Sequence, residues 1–577
     1  MPVRQRLLLL QLPRLDPDVG TPGENIMLAA AGLQNALARS PEGAHWETLP
    51  TPAAQDTADN AALLAAVLAL EPDVIGATLY LWNVERTLRL LAALKRQRPS
   101  LRTVVGGPEV AREHPLLFPP AASGRAPAPV DVAVVGEGEG VFPDILAGLR
   151  RGRPTSWRTV AWRRQSQLVF GARTPPTRPL NELLPPADHP VNRPDAHGMA
   201  YLETNRGCPM RCAFCCYNLR RQGWSSLPPA EVERRVRLLR RRGAREIRLV
   251  DPTFNAHPRF RAILGALRRA NADGRVKFFV ELRADTLTEQ DAAELAAAHV
   301  AEAEVGLQST DPAVLRAIHR PAHLDRALAG IERLQRHGIR PTIDIMYGLP
   351  RQGRNDIERA LAVLARFPKA HPQFLPTLLL PGTELRDRRR ELNLRAQALP
   401  PYRVQATDRL SARQLAAIEA LAEARLGGFD TPTRRFVGRR LPDLFPERVI
   451  VEVGGRADWS TQLPAGVANR RTVIFRGGNL FGHRAAIAAG VRQAVRREPD
   501  ILWQFVLAPA SEEPLDLLDV LIATIRHLPS HWLDRLVSPA GTRRFAARRL
   551  FIRLPRGRAC DPGWRAAAEA LLASVFH

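Results

Sequence analysis

Cysteine is scarce in this chain, with five in 577 residues, and none comes before Cys208. So few thiols, four of them packed into nine residues of RGCPMRCAFCCYN (206–218), exclude a disulfide framework. No apolar run reaches 18 residues. LLLLQL at 7–12 is too short to span a bilayer and reads as a buried first strand. With no secretory leader in view, the expectation is a cytoplasmic protein without a membrane partner. Lysine is nearly missing and stands only at 95, 277 and 369, so the net charge of +25 is an arginine charge. The arginines scatter along helix faces such as RRVRLLRRRGAR (234–245), which reads as a solvated surface. No nucleic-acid partner is expected from them. No G-x-G-x2-G follows the first strand, which weighs against a plain dinucleotide fold.

What is present is enough for three domains, since 577 residues exceed what one core can bury. Residues 1–150 alternate short apolar strands with helical runs. LLLLQLP (7–13), DVIGATLYL (73–81), RTVVGG (102–107) and VDVAVVGEGE (130–139) read as strands. ENIMLAAAGLQNALARS (24–40), AALLAAVLAL (61–70) and VERTLRLLAALKRQRP (84–99) read as helices. That alternation predicts a parallel, doubly wound sheet with its ligand at the carboxyl ends of the strands, here LYLWN, VVGGPEV and VVGEGEG. Residues 151–198 read as a connector with a small hairpin.

Residues 199–425 repeat strand then helix six times, with strands at 200–205, 246–254, 277–286, 303–310, 341–350 and 374–383. Six such units predict a partial (βα)6 barrel whose chemistry sits at the carboxyl rim. Residues 426–577 read as a small α+β domain. VIVEVGG (449–455), RTVIFRGG (471–478), ILWQFVLAP (501–509) and RRFAARRLFIRLP (543–555) are its strands, and PLDLLDVLIATIRHLP (514–529) and WRAAAEALLASVF (564–576) are its helices.

Cys208, Cys212 and Cys215 have the spacing C-x3-C-x2-C on the loop leaving the first barrel strand. A structural zinc site closes four ligands, usually from two separated pairs, and no second pair exists here. A zinc knuckle completed by a distant histidine stays open. So does a [4Fe–4S] cube held by three thiolates with its fourth iron unligated. Cys216 is either an idle neighbour or a donor to the cluster's surroundings, and Cys560 reads as a quiet half-buried thiol. Glu281, mid-strand in KFFVELRADT, points either into the barrel or outward to pair with Arg283.

This loop, with Phe214 just before the third cysteine and six βα units behind it, resembles the radical S-adenosylmethionine (SAM) superfamily. The resemblance implies that Cys208, Cys212 and Cys215 hold a [4Fe–4S] cluster and that SAM chelates the open iron. It places Asp251, Thr253 and Asn255 near the SAM amine, Gln308 and Ser309 near its ribose, and Tyr347 and Gly348 near its adenine. If Glu281 points into such a barrel, its carboxylate lies close to SAM or the cluster, a catalytic position from which it would orient SAM or the substrate, or cap the iron.

LYLWN, GGPEV and GEGE ahead of such a barrel resemble the cobalamin-binding subgroup. Its fold would be α/β: a Rossmann-like cobalamin-binding domain (1–150), a connector (151–198), a TIM-like radical SAM barrel (199–425) and the α+β domain (426–577) closing over the substrate. Thr78, Gly106 and Gly107 would line the nucleotide tail, and Gly136, Glu137 and Gly138 would border the corrin. The D-x-H-x2-G histidine motif is absent. His45 and His114, the domain's only histidines, lack its context. Tyr80, Leu81, Trp82 and Asn83 are therefore the candidates for the cobalt's lower face.

The resemblance implies methyl transfer from SAM through cobalamin, as methylcobalamin, to a carbon of a small-molecule or peptide natural-product precursor. The subgroup includes the tryptophan 2-C-methyltransferase reaction. The same motifs also fit a rearrangement, ring contraction or cyclisation. A tRNA-modifying methylthiotransferase would carry cysteines in its N-terminal domain, and none is there. An electron donor such as flavodoxin or ferredoxin, and a monomeric state, are implied as well.

Overall fold

The computed structural model describes residues 4–17, 25–119, 128–165, 167–217, 224–426, 435–454, 468–538, 544–555 and 560–576. Glu24, Asn218, Gly455 and Arg543, at the edges of stretches quoted above, lie outside these.

The N-terminal sheet has seven strands in the order Trp46–Thr48, Gln5–Leu10, Val74–Thr78, Arg102–Gly106, Val132–Val134, Val160–Arg164 and Gln167–Phe170. The first five run parallel. Helices cover both faces of a parallel sheet, so a central strand can be apolar throughout, as Leu7 to Leu10 are. Trp46–Thr48 is too short to carry a sequence period and was not among the expected strands. The hairpin foreseen in the connector extends this sheet, because Val160–Arg164 pairs antiparallel with Val132–Val134. The helix Val84–Gln97 turns Val84, Leu88, Leu91 and Leu94 inward at 3.6-residue spacing and leaves Arg89 and Arg96 exposed.

The second sheet is six parallel strands in sequence order: Met199–Leu202, Glu246–Leu249, Lys277–Leu282, Val300–Gln308, Arg340–Tyr347 and His371–Pro376. Alternation decides what each face carries. Ile247, Val280, Val305 and Ile343 are buried in the core shared with the surrounding helices. Arg248, Glu281, Glu304 and Asp344 take the opposite face, lining the barrel's interior. A polar interior facing a hydrophobic jacket is what a partial barrel needs to hold a charged ligand.

The C-terminal domain differs from the α+β expectation. Its five strands run in the order Val437–Gly438, Arg548–Arg553, Leu502–Pro509, Arg470–Gly477 and Arg448–Glu452, and all pair parallel. Parallel neighbours require crossover connections. The helix Arg484–Arg497, unread in the Ala- and Arg-rich sequence, supplies the crossover between Arg470–Gly477 and Leu502–Pro509.

The domains interlock through buried polar groups. Tyr402, beyond the barrel, donates to Glu109 Oε2 at 2.9 Å and lies 3.0 Å from His114 Nε2, both in the N-terminal domain. Arg471 of the C-terminal domain pairs with Asp59 at 2.6 Å, both fully buried.

Candidate cofactor site

The carboxyl ends of the N-terminal strands open on a cavity of about 640 Å³, closed on its far side by the exit of the first barrel strand. Thr78, Tyr80, Trp82, Gly106, Gly107 and the 136–139 loop line one wall, and Arg206, Gly207, Cys216 and Tyr217 line the other. Tyr80 and Trp82 stack with centroids 4.5 Å apart and planes 6° from parallel, forming a flat aromatic plate. Gly107 has φ +105°, and a Cβ there would lie 2.6 Å from the Leu79 carbonyl oxygen, so no other residue fits the turn. Leu81 packs against the barrel core instead. Asn83 is buried, and its amide donates to the Leu12 and Thr78 carbonyls at 2.9 and 3.2 Å. It braces the turn rather than facing the cavity. His114 is locked to Glu109 and Tyr402, and neither it nor His45 lines the cavity.

The second wall is the cysteine loop. Backbone bonds hold it down: Ala213 N donates to Ile318 O at 2.9 Å, and Leu385 N donates to Ala213 O at 2.8 Å. Phe214 packs beside Met346 and Leu349. Burial pushes the Cys215 thiol up to about 12, and the neighbouring Cys216, Cys212 and Cys208 add to the shift. Arg320 Nη1 donates to Cys212 Sγ at 3.4 Å and its Nη2 donates to the Gly306 carbonyl at 2.6 Å. Arg283 reaches Met210 Sδ at 3.4 Å while pairing with Asp285 at 2.6 Å. Two guanidiniums thus stand against the thiolate loop. Among the described residues no three His, Cys, Asp or Glu side chains converge on a single metal ion. Cys560 lies in the C-terminal domain, packed on its core.

The barrel rim sorts the expected SAM contacts into two groups. Thr253 Oγ1 lies 3.4 Å from Cys208 Sγ, and Gln308 and Ser309 close the fourth strand. Asp251 is fully buried and accepts from the Thr204 hydroxyl and from Thr204 N and Asn205 N at 2.8 and 3.1 Å. It ties down the start of the cysteine loop. Asn255 is spent on Arg283 N and O and on Thr286. Tyr347 faces the helices, stacked on Phe374 at 4.6 Å with its hydroxyl accepting from Arg403 at 2.9 Å. Gly348, at φ +81°, makes the turn behind it. These four brace the rim.

Glu281 points inward. It stands directly across from Glu304, and burial with the Glu304 and Asp251 charges pushes its carboxyl up to about 7. Its alternative partner Arg283 is committed to Asp285. Asp344 is buried one strand further on, and its Oδ1 has no hydrogen-bond partner. Burial and the facing Glu304 raise its carboxyl well above the usual range. Arg320, Asp344 and Glu304 were not singled out from the sequence. The signal for Asp344 and Glu304 was available: each is an acid in an apolar strand, in phase with Glu281 across the sheet.

Two family matches now fall on this geometry: a B12 binding domain over residues 32–146 and the radical SAM superfamily over residues 202–364. The chain thus carries a B12-binding domain followed by a radical SAM domain, and the cofactors of these domains are cobalamin and a [4Fe–4S] cluster with SAM. It is 24% identical over 325 residues to an uncharacterised methyltransferase of Pyrococcus horikoshii, covering 55% of this chain and 69% of that one. It is 29% identical over 300 residues to the cobalamin-dependent radical SAM methyltransferase TokK of Streptomyces tokunonensis, covering 49% of this chain and only 43% of TokK. Among solved structures, the radical SAM methyltransferase TsrM of Kitasatospora setae shares the fold at a TM-score of 0.52, with 17% identity over 66% of this chain and 75% of TsrM. No helix among the described residues is long and apolar enough to cross a membrane.

The residues present fit these groups. A slot with an aromatic plate and a glycine-lined wall suits a large flat ligand. Three cysteines on one short loop, Cys212 buried and Cys208 and Cys215 half-buried, suit a cube with one open iron. An orphaned carboxylate oxygen on Asp344 and the Arg320 guanidinium suit a ligand bearing hydroxyls, an ammonium and a carboxylate.

Proposed function

We propose that the protein is a cobalamin-dependent radical SAM methyltransferase acting on a carbon of a small molecule or peptide. One observation carries the reading: a single cavity is walled by the cobalamin domain's strand ends and by Arg206, Gly207 and Cys216 of the cysteine loop. When bound, the cofactors supply a methyl carrier and a one-electron reductant for SAM. The chain's own work is to bind, orient and exclude water. Cys208, Cys212 and Cys215 would hold the cluster. Arg320, beside Cys212, would take the SAM carboxylate. Glu281, half-buried on the barrel's inner face, and Asp344, buried beside Glu304 with its Oδ1 unpartnered, would take its ammonium and ribose hydroxyls. Glu281, titrating near neutrality, could also hold a proton at its carboxyl while SAM is bound. Thr78, Gly106, Gly107, Gly136 and Gly138 would admit the corrinoid, with Tyr80 and Trp82 as its flat contact. The two curated relatives named above are both called methyltransferases, which supports methylation over rearrangement.

The test is anaerobic reconstitution with iron, sulfide and hydroxocobalamin, followed by SAM and reductant. The expected product is S-adenosylhomocysteine. 5′-Deoxyadenosine as the sole SAM product would overturn methyl transfer.

A further inference from the structure

The Tyr80–Trp82 plate has two sides, and they belong to different neighbours. Trp82 faces the corrinoid cavity and also borders a second, small void of about 30 Å³ shared with Leu15, Glu85, His531 and Trp532. It packs on a satellite core of Leu15, Phe445, Leu502, Trp532 and Leu533. Of these, only Leu15 comes from the N-terminal domain. The back of the plate is therefore made by the C-terminal domain.

This contact is specified by charge. Glu498 of the C-terminal domain accepts from Asn60 N and Ala61 N at 3.3 and 3.2 Å, and so caps the N-terminus of the N-terminal domain's helix Asn60–Ala69. Arg89 pairs with Asp500 at 2.6 Å. Arg535 donates to the Glu85 carboxylate, to the Pro400 carbonyl beyond the barrel, and to the Ser530 carbonyl, so one side chain ties all three domains. A buried ion left unpaired by a slipped dock would cost several kcal/mol, so these pairs hold one docking geometry against others.

We propose that the C-terminal domain is the buttress of the corrinoid cavity, with Trp532 a positioning residue that holds Trp82, and through it Tyr80, against the bound corrinoid. A lid over the substrate would not need this contact. The inference rests on the reading that the cavity takes a corrinoid, and it goes further by giving the last domain a part in how that ligand is held.

The experiment titrates hydroxocobalamin into the full chain and follows the corrinoid absorbance, with bound iron measured alongside. Trp532→Ala should weaken cobalamin binding about tenfold and shift the visible band, with iron content unchanged. Trp532→Phe should restore both. Leu15→Ala, which loosens the same cluster from the N-terminal side, should repeat the effect if Trp532→Ala does not fold. Wild-type affinity and an unshifted band in the folded variants would overturn the buttress alone. Failure of the unaltered protein to bind the corrinoid would overturn the functional reading beneath it.

Discussion

Arg206 Nη1 lies 3.1 Å from Glu139 Oε1, joining the cysteine loop to the cobalamin domain two residues before Cys208. Glu137 accepts from the same nitrogen at 3.2 Å, and Glu203 takes the other side of the guanidinium at 2.7 Å. The two glutamates of GEGE thus reach past the cavity to the other wall. Removing the arginine leaves three half-buried carboxylates together. Arg206→Ala should cost about 2–4 kcal/mol, because breaking such a set is worse than never having built it. Thermal unfolding checks this. The double variant Arg206→Ala/Glu139→Gln should recover part of the loss, and no recovery would mean that the repulsion is not what destabilises.

Asp344 and Arg320 should carry SAM affinity without carrying the cluster. A hydrogen bond to a charged group is worth about 1.5–3 kcal/mol, so Asp344→Asn or Arg320→Ala should weaken SAM binding about 10- to 100-fold. Iron content should stay at the wild-type level. Calorimetric titration of reconstituted protein reads the affinity, and unchanged binding in both variants would remove these residues from the SAM site.

Burial sets a pH dependence of stability. Glu281 titrates near 7 when folded, against 4.5 when exposed, and the Asp344 carboxyl is raised in the same sense. Between those values the folded chain holds protons that the unfolded chain has released, so stability falls as pH rises from about 4.5 to 7. Urea unfolding of the SAM-free protein at pH 5 and pH 8 should show the drop. Glu281→Gln should flatten it. A steeper drop in that variant would contradict the assignment.

Cys216 faces the cavity and stands outside the C-x3-C-x2-C set. Alanine at Cys208, Cys212 or Cys215 should abolish stable iron binding, whereas Cys216→Ala should keep the full complement. Iron and sulfide analysis after anaerobic reconstitution separates the two cases. Loss of iron from Cys216→Ala would enlarge the ligand set.

Tyr347 should be silent in SAM binding, since its ring lies among the helices. Tyr347→Phe removes the bond from Arg403, at a cost of about 1 kcal/mol in stability, and should leave SAM affinity within about twofold. A tenfold loss would return Tyr347 to the site.

Much of this was legible in the chain because period and spacing are local signals. The strand and helix alternation gave both large sheets, and the cysteine spacing marked the loop between them. Contacts made by chain reversal were less legible. Asp251 and Asn255 sit where a ligand contact was expected, yet their hydrogen bonds are consumed by the cysteine loop and by the neighbouring rim. Asn83 turned inward for the same reason, to satisfy the Thr78 carbonyl of its own turn and the Leu12 carbonyl just past the end of the first strand. The parallel C-terminal sheet was missed because its crossover helix RAAIAAGVRQAVRR went unread, although Ile487, Val491 and Val495 recur at helical spacing on its buried face. Asp344 shares the run PTIDIMYGLP with Tyr347 and Gly348, and the resemblance placed the contact on those two instead. None of the interdomain charge pairs has a sequence signature, since partners such as Asp59 and Arg471 are separated by hundreds of residues.

Blocking the cavity tests the account most directly. Gly106 ends a strand on the cavity wall, and a Cβ there meets nothing closer than Val134 at 3.9 Å, so Gly106→Phe sends its ring into the open slot. The account predicts that this variant folds, keeps its iron and its SAM affinity, and loses cobalamin binding by at least about 100-fold in a corrinoid absorbance titration. Wild-type cobalamin affinity in the folded Gly106→Phe protein would contradict it.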